Sequence, residues 1–260
     1  MRPVALITGA SAGIGAALAR VFADHGHALI LVARREAELN ALADSIAAGG
    51  KPRPDVLALD LANVGAGQRL ADELAARLIE PAFVVNNAGF GLVGSADALA
   101  LDEQLAMIDL NVRTLTDLSL RWADTLARHR GGLLNVASIA AFLPGPGMAV
   151  YHATKAYVLS FTQALNVEFS DRGVRVTTLC PGPVETGFQS RSGMPGGYFP
   201  ASMVCPPERI AREGFKALMQ GRHVAAPGLR NNAIARFASA IPHAFLLGIQ
   251  QRRFEARREK

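Results

Sequence analysis

The sequence predicts an α/β fold, a doubly wound parallel sheet in a single domain, three layers deep. Three observations carry this. Strand-like and helix-like segments alternate from end to end of the 260 residues. The strand-like runs are apolar on both faces, as parallel strands covered by helices must be. No linker, internal repeat or long low-complexity tract divides the chain. Strand–helix–strand repetition of this kind implies right-handed crossovers.

Val4 to Thr8 reads as the first strand, and Ile14–Ala23 as the helix after it. Ala28 to Val32 is the second strand and Glu36–Ala47 its helix. Val56 to Leu59 and Gln68–Leu78 form the next pair. Phe83 to Val85 leads to a long helix, Leu101–Leu126. Leu133 to Val136 is the fifth strand, Tyr151–Phe169 a helix, and Val174 to Leu179 the sixth strand. Residues 187–200, GFQSRSGMPGGYFP, break the rhythm. A Gly- and Pro-rich loop this late in an α/β chain is expected to lie over a ligand as a lid.

Composition excludes several classes of protein. Half of the residues are apolar and 19% are charged, which argues against disorder. No run reaches the roughly 18 apolar residues of a membrane span. No secretory signal is expected, because Met1-Arg2-Pro3 leads straight into the first strand. The net charge of +5 suits an anionic partner such as a phosphorylated cofactor. Three Tyr and one Trp make poor stacking platforms, so no nucleic acid is expected. Cys180 and Cys205 lie in no metal-ligand spacing, so no metal is expected and both read as reduced thiols of a cytoplasmic protein. The last eleven residues hold five basic and two acidic side chains. They read as a solvated terminus, with peripheral membrane contact through an amphipathic helix as the second reading.

Three stretches carry chemistry. Thr8-Gly9-Ala10-Ser11-Ala12-Gly13-Ile14-Gly15 joins the first strand to the first helix. Glycines there permit a tight turn and bring backbone N–H groups to a pyrophosphate at the helix N-terminus. The second strand ends Val32-Ala33-Arg34-Arg35-Glu36. An acid at that position would repel a 2′-phosphate, whereas Arg34 attracts one, so NADP(H) is favoured over NAD(H). Tyr151 and Lys155, four residues apart, share one helix face. A nearby ammonium is expected to lower the pKa of the phenol, and Ser138, ending the fifth strand, could donate to a substrate carbonyl beside it.

Together, TGxxxGxG (8–15), Asn86-Asn87-Ala88-Gly89, Asn111, Ser138, Tyr151-x-x-x-Lys155 and Pro181-Gly182 resemble the short-chain dehydrogenase/reductase family, in its single-domain branch. The resemblance covers nearly the whole chain. It implies a seven-stranded Rossmann-type sheet, a substrate loop at about 187–205 and a C-terminal helical extension at about 229–260. It implies a cofactor site of Gly9, Ser11, Gly13, Ile14, Gly15, Arg34, Asp60 and Leu61 beside the adenine, Asn87, Ala88, Gly89, Pro181, Gly182, Val184 and Thr186, with Tyr151 and Lys155. It implies a catalytic tetrad as well. Tyr151 would be the acid or base, Lys155 would tune it and hold the ribose, Ser138 would polarise the substrate oxygen, and Asn111 would hold a water that links Lys155 to solvent. Relatives pair two long helices, here about 101–128 and 150–170, so a homodimer or homotetramer is implied.

The stretch after Ser138 offers Ala140, Ala141, Phe142, Leu143, Pro144 and Met148 to a substrate. The later segment offers Phe188, Met194, Tyr198, Phe199 and Met203. That lining suggests a lipophilic ketone, aldehyde or secondary alcohol. Arg191 reads first as a solvated loop arginine, and second as the one charge that could reach an anionic group. A cofactor-retaining epimerase or dehydratase and a non-catalytic dinucleotide sensor are the rival readings. An intact Ser138, Tyr151 and Lys155 argues against the sensor.

Overall fold

The computed structural model describes residues 1–195 and 198–237. Gly196, Gly197 and the chain from residue 238 on, which includes the basic tail and most of the expected C-terminal extension, lie outside the described residues. In chain order the elements are β1 (Arg2–Thr8), α1 (Gly13–Asp24), β2 (Leu29–Ala33), α2 (Glu36–Ala48), β3 (Asp55–Ala58), α3 (Ala66–Ala76) and β4 (Ile79–Asn86). Then come α4 (Leu101–Ile108), a π-helical turn (Asp109–Thr114), α5 (Leu115–Arg121), α6 (Ala123–Arg128), β5 (Gly132–Val136) and α7 (Ala149–Glu168). The last are β6 (Arg175–Leu179), α8 (Phe188–Arg191), α9 (Pro207–Met219), β7 (Val224–Ala225) and α10 (Leu229–Phe237).

The seven strands form one parallel sheet in the order β3-β2-β1-β4-β5-β6-β7. Alternation along a strand sends successive side chains to opposite faces. In β1, Ala5 and Ile7 join Leu18 and Phe22 of α1, Leu39 of α2 and Ile210 of α9 on one face. Val4 and Leu6 join Leu70 of α3, Leu118 of α5 and Leu165 of α7 on the other. Each fully buried Leu, Ile or Phe contributes about 1.5–3 kcal/mol, so the double burial explains why these runs read as continuously apolar.

The strand order reverses between β1 and β4, which opens a crevice at their carboxyl ends. The glycine turn after β1 and the Asn86–Gly89 turn after β4 both lie there.

Three expectations need correction. The helix expected over Leu101–Leu126 is interrupted twice, by the π-helical turn and again at Trp122, whose ψ of 19° ends α5. Periodicity does not register one extra residue in a turn. β4 runs from Ile79 and is longer than expected from Phe83, because Pro81 falls where its register with β1 shifts between Val4 and Ala5. An irregularity there tolerates the missing N–H. Neither α9 nor the two-residue β7 was read as an element. Pro207 at the first helical position, followed by buried Ile210, Ala211, Gly214 and Phe215, was a usable signal for α9.

Candidate active site

The crevice is the mouth of a cavity of about 1640 Å³. A drug-sized ligand pocket spans about 300–1,000 Å³, so this one has room for a dinucleotide and a second molecule.

At its phosphate end, Gly9 has φ +65°, and a Cβ there would lie 2.8 Å from Asn87 Nδ2. Only glycine meets both conditions. α1 opens at Gly13 after Ala12, which gives no side-chain cap, and its first turn has no acidic residue. Its leading N–H groups are therefore left to an anion. Ser11, Gly13 and Ile14 line the cavity beside them. Gly15 does not line it. A Cβ on Gly15 would sit 2.3 Å from Gly9 O, so its part is close packing of helix against turn. Asn87 Nδ2 donates to Thr8 O at 2.9 Å and Gly9 O at 3.2 Å. Both amide hydrogens thus pin the glycine turn, and only Oδ1 is left to a ligand.

At the end of the cavity beyond β2, Arg34, Asp60 and Leu61 line it. Arg34 Nη1 stands 3.9 Å from Asp60 Oδ2, an exposed and weak pair. Arg35 reaches across to the glycine turn, its Nη2 donating to Ser11 Oγ at 3.0 Å. Ser11, Arg34 and Arg35 therefore form one polar cluster beyond the end of β2, where Ala33 supplies no acid. That Arg35–Ser11 contact joins residues 24 apart, so spacing alone did not reveal it. Ala88, Gly89, Pro181, Gly182, Val184 and Thr186 line the same cavity, between this end and its floor.

Ser138, Tyr151 and Lys155 converge on that floor. Ser138 leaves β5 with an extended backbone, and its Oγ accepts from Ala140 N at 3.1 Å. Its own proton is left to donate. The Tyr151 phenol is buried beside it. Burial pushes that phenol up to about 12, and the Ser138 hydrogen bond pulls it back only in part. Lys155 Nζ donates to Val136 O at 2.9 Å and lies 5.9 Å from the centre of the Tyr151 ring. Burial pushes this amine down to about 8, and the nearby Cys180 opposes the fall. The expected lowering of the phenol by Lys155 is therefore corrected: among the protein's own groups, desolvation of the phenol prevails.

Asn111 lies behind the floor and does not line the cavity. Its Nδ2 donates to Phe90 O at 2.9 Å and Thr154 Oγ1 at 3.1 Å, and its Oδ1 accepts from Phe90 N at 3.1 Å. The π-helical turn supplies this placement, as such turns often do at functional sites. A Cβ on Gly89 would sit 2.8 Å from Asn111 Oδ1 and 3.5 Å from Lys155 Nζ, so the amide and the amine flank the same glycine.

The family profile described as short chain dehydrogenase matches residues 3–194. The chain belongs to the short-chain dehydrogenase family. It is an oxidoreductase of alcohol and carbonyl groups that binds a nicotinamide dinucleotide. This short-chain dehydrogenase is 38% identical over 191 residues to sulfoacetaldehyde reductase 2 of Chromohalobacter salexigens, covering 72% of this chain and 75% of the relative. A short-chain dehydrogenase from Sphingobium yanoikuyae, solved with NADPH, superposes with a TM-score of 0.80 at 30% identity, over 93% of this chain and 97% of the other. One from Burkholderia phymatum, solved with NAD, gives 0.79 at 25% identity, over 91% and 92%.

On the substrate side of this short-chain dehydrogenase, Phe188 packs against Tyr151 with ring centres 5.3 Å apart. The loop that carries it leaves and returns through a narrow neck, where Cys205 N donates to Pro183 O at 3.0 Å and Glu185 N to Cys205 O at 3.2 Å. Its far side is tied down by Val93 N donating to Ser192 O at 2.9 Å. Ala140, Leu143, Met148, Met194, Tyr198, Phe199 and Met203 line the cavity. Ala141, Phe142 and Pro144 do not. The 3-10 turn Ile139–Phe142 rotates Ala141 and Phe142 into a cluster with Val158 and Leu159 of α7. Among the described residues no helix is long and apolar enough to cross a membrane.

Proposed function

We propose that this chain is an NADP(H)-dependent oxidoreductase that reduces a lipophilic ketone or aldehyde, or oxidises the matching secondary alcohol, with Tyr151 as acid or base. The observation that carries the reading is the convergence of Ser138, Tyr151 and Lys155 on the floor of the cavity whose other end is the glycine turn.

The uncapped start of α1 and the Gly9 turn would hold the pyrophosphate, Asp60 and Leu61 would flank the adenine, and Ser11, Arg34 and Arg35 would hold a 2′-phosphate. Val184 and Thr186 would hold the nicotinamide end. When bound, the dinucleotide supplies the hydride that reduces a carbonyl carbon. The Ser138 hydroxyl, with its oxygen already accepting from Ala140 N, donates to the substrate oxygen and polarises it. The Tyr151 phenol delivers the proton to that oxygen. With the phenol pushed up to about 12, the protonated form that carbonyl reduction needs dominates at neutral pH. Lys155 would hold the nicotinamide ribose and would pass a proton back to the phenol, with Asn111 fixing the path behind it. The loop 187–205 excludes water over the reacting centre. Residues 1–260 would act as one domain, with this loop over its mouth.

The test is a panel of ketones, aldehydes and alcohols assayed by nicotinamide absorbance with each cofactor. NADPH-linked turnover of apolar carbonyls, lost in Tyr151→Phe, supports the reading. A Tyr151→Phe enzyme that turns over normally refutes it.

A further inference from the structure

We infer that Arg191 selects carbonyl substrates that carry an organic oxyanion, a carboxylate or sulfonate, a few bonds from the reacting carbonyl; the inference rests on the oxidoreductase reading and names its substrate class.

The charge on the cavity wall is lopsided. Its substrate half is lined by Arg191, Arg209 and Arg230, and among the described residues the cavity's carboxylate is Asp60, at the adenine end. Of these three arginines, Arg191 shares its helix with a residue that touches Tyr151. It stands one helical turn after Phe188 on α8, and Phe188 rests on the Tyr151 ring. Side chains three apart on a helix are neighbours, about 5–6 Å between their Cβ atoms. The guanidinium is stacked over Phe90, its Cζ 4.9 Å from the ring centre. Phe90 in turn is held by Asn111 through both its N–H and its carbonyl. A cation thus stacks at the cavity wall, one helical turn from the side chain that touches the Tyr151 ring.

Its protein partner is easily exchanged. Arg191 Nη1 lies 3.6 Å from Glu103 Oε1 of α4, with the two side chains 47% and 50% exposed. A pair so exposed and so long holds weakly. Glu103 does not line the cavity, so no protein carboxylate stands between the guanidinium and a ligand oxyanion that approaches from inside. A planar guanidinium can then grip the ligand with two parallel hydrogen bonds. The apolar wall between, Leu143, Met148 and Phe188, accommodates the short carbon chain that joins the oxyanion to the carbonyl.

The experiment uses the full chain and NADPH with matched pairs that differ only in charge: acetoacetate, levulinate and their methyl esters. The readout is the ratio of kcat/KM, acid over ester, within each pair. Wild type is expected to prefer at least one acid by about tenfold, the scale of one charge-assisted contact. Arg191→Gln collapses that ratio toward one, mainly through the KM of the acid. Arg191→Lys, which keeps the charge but not the fork, retains part of it. Glu103→Gln, which frees the guanidinium, raises the ratio, a gain that a merely structural ion pair would not produce. A wild-type preference for the esters, or equal ratios in wild type and Arg191→Gln, overturns the inference while leaving the oxidoreductase reading intact. Turnover of apolar ketones with none of the acids accepted also overturns it. No NADPH- or NADH-linked turnover of any carbonyl defeats the oxidoreductase reading instead.

Discussion

Replacing Lys155 by Met is expected to abolish turnover and stabilise the fold at neutral pH. Lys155 is 5% exposed, and its amine donates to Val136 O at 2.9 Å. Desolvation lowers its pKa from 10.5 to about 8. At 1.36 kcal/mol per pKa unit, that displacement is a burial cost of about 3 kcal/mol whenever both states are charged. Methionine has a similar length and no charge, so it removes the cost. It also removes the bond to Val136 O, a loss of about 1 kcal/mol. The variant should therefore be more stable than wild type by about 2 kcal/mol at pH 7.

The pH dependence gives the sharper test. Below about pH 8 folded and unfolded wild type both hold the Lys155 proton, and the cost is present in full. Between about 8 and 10.5 the unfolded chain keeps that proton and the folded chain does not, so wild-type stability rises with pH. The variant has no such rise at this site. Urea unfolding of both proteins across this range should show the variant's advantage shrinking by about 3 kcal/mol and changing sign near the upper end. Tyr151 and Cys180, both pushed up to about 12 by burial, titrate in both proteins and largely cancel in the difference. A difference that stays flat from neutral to alkaline pH would show that the amine is not buried as a charge, and the argument for a proton relay through it would fail.

Tyr151→Phe should cost several orders of magnitude in kcat while NADPH affinity, read by quenching of cofactor fluorescence, stays close to wild type; weakened binding of the same size would place the phenol in cofactor binding alone. Replacing Arg34 and Arg35 together by Ala should lower the NADPH-over-NADH ratio of kcat/KM by about ten- to a hundredfold, since each charged hydrogen bond is worth about 1.5–3 kcal/mol. An unchanged ratio would mean that the 2′-phosphate is held elsewhere. Carbonyl reduction should stay level from about pH 6 to 7 and fall as Lys155 loses its proton near 8, while alcohol oxidation should climb with pH, because the phenol at about 12 stays protonated throughout. Opposite trends would assign the acid to another group. Shortening 187–200 should raise the substrate KM more than the cofactor Kd, whereas equal losses would make the loop structural.

Much of this architecture was legible because local and global signals coincide. Val4–Thr8 reads as a covered parallel strand since Val4 and Leu6 must satisfy one helical layer while Ala5 and Ile7 satisfy the other. The glycine turn was legible for a similar reason: Gly9 needs a positive φ and lies against Asn87, a pairing that couples two motifs the chain spells out separately. What stayed hidden depends on how distant segments meet. The π-helical turn that brings Asn111 toward Phe90 leaves hydropathy unchanged, and Arg35 finds Ser11 only once β1 and β2 lie side by side.

The same distinction explains the one reversal in the chemistry. Four-residue spacing shows that Tyr151 and Lys155 share a helix face, but the sign of a pKa change depends on what surrounds them. Here the amine turns to Val136 O, and desolvation works on both groups at once, raising the acid and lowering the base. The two shifts bring the site closer to neutral phenol beside neutral amine, a state that is cheap to bury. It also keeps the phenolic proton available to a substrate oxygen. On the proposed mechanism, the burial that would make an isolated phenolate costly keeps the Tyr151 proton in place for the substrate oxygen, and reduction is the direction to test first.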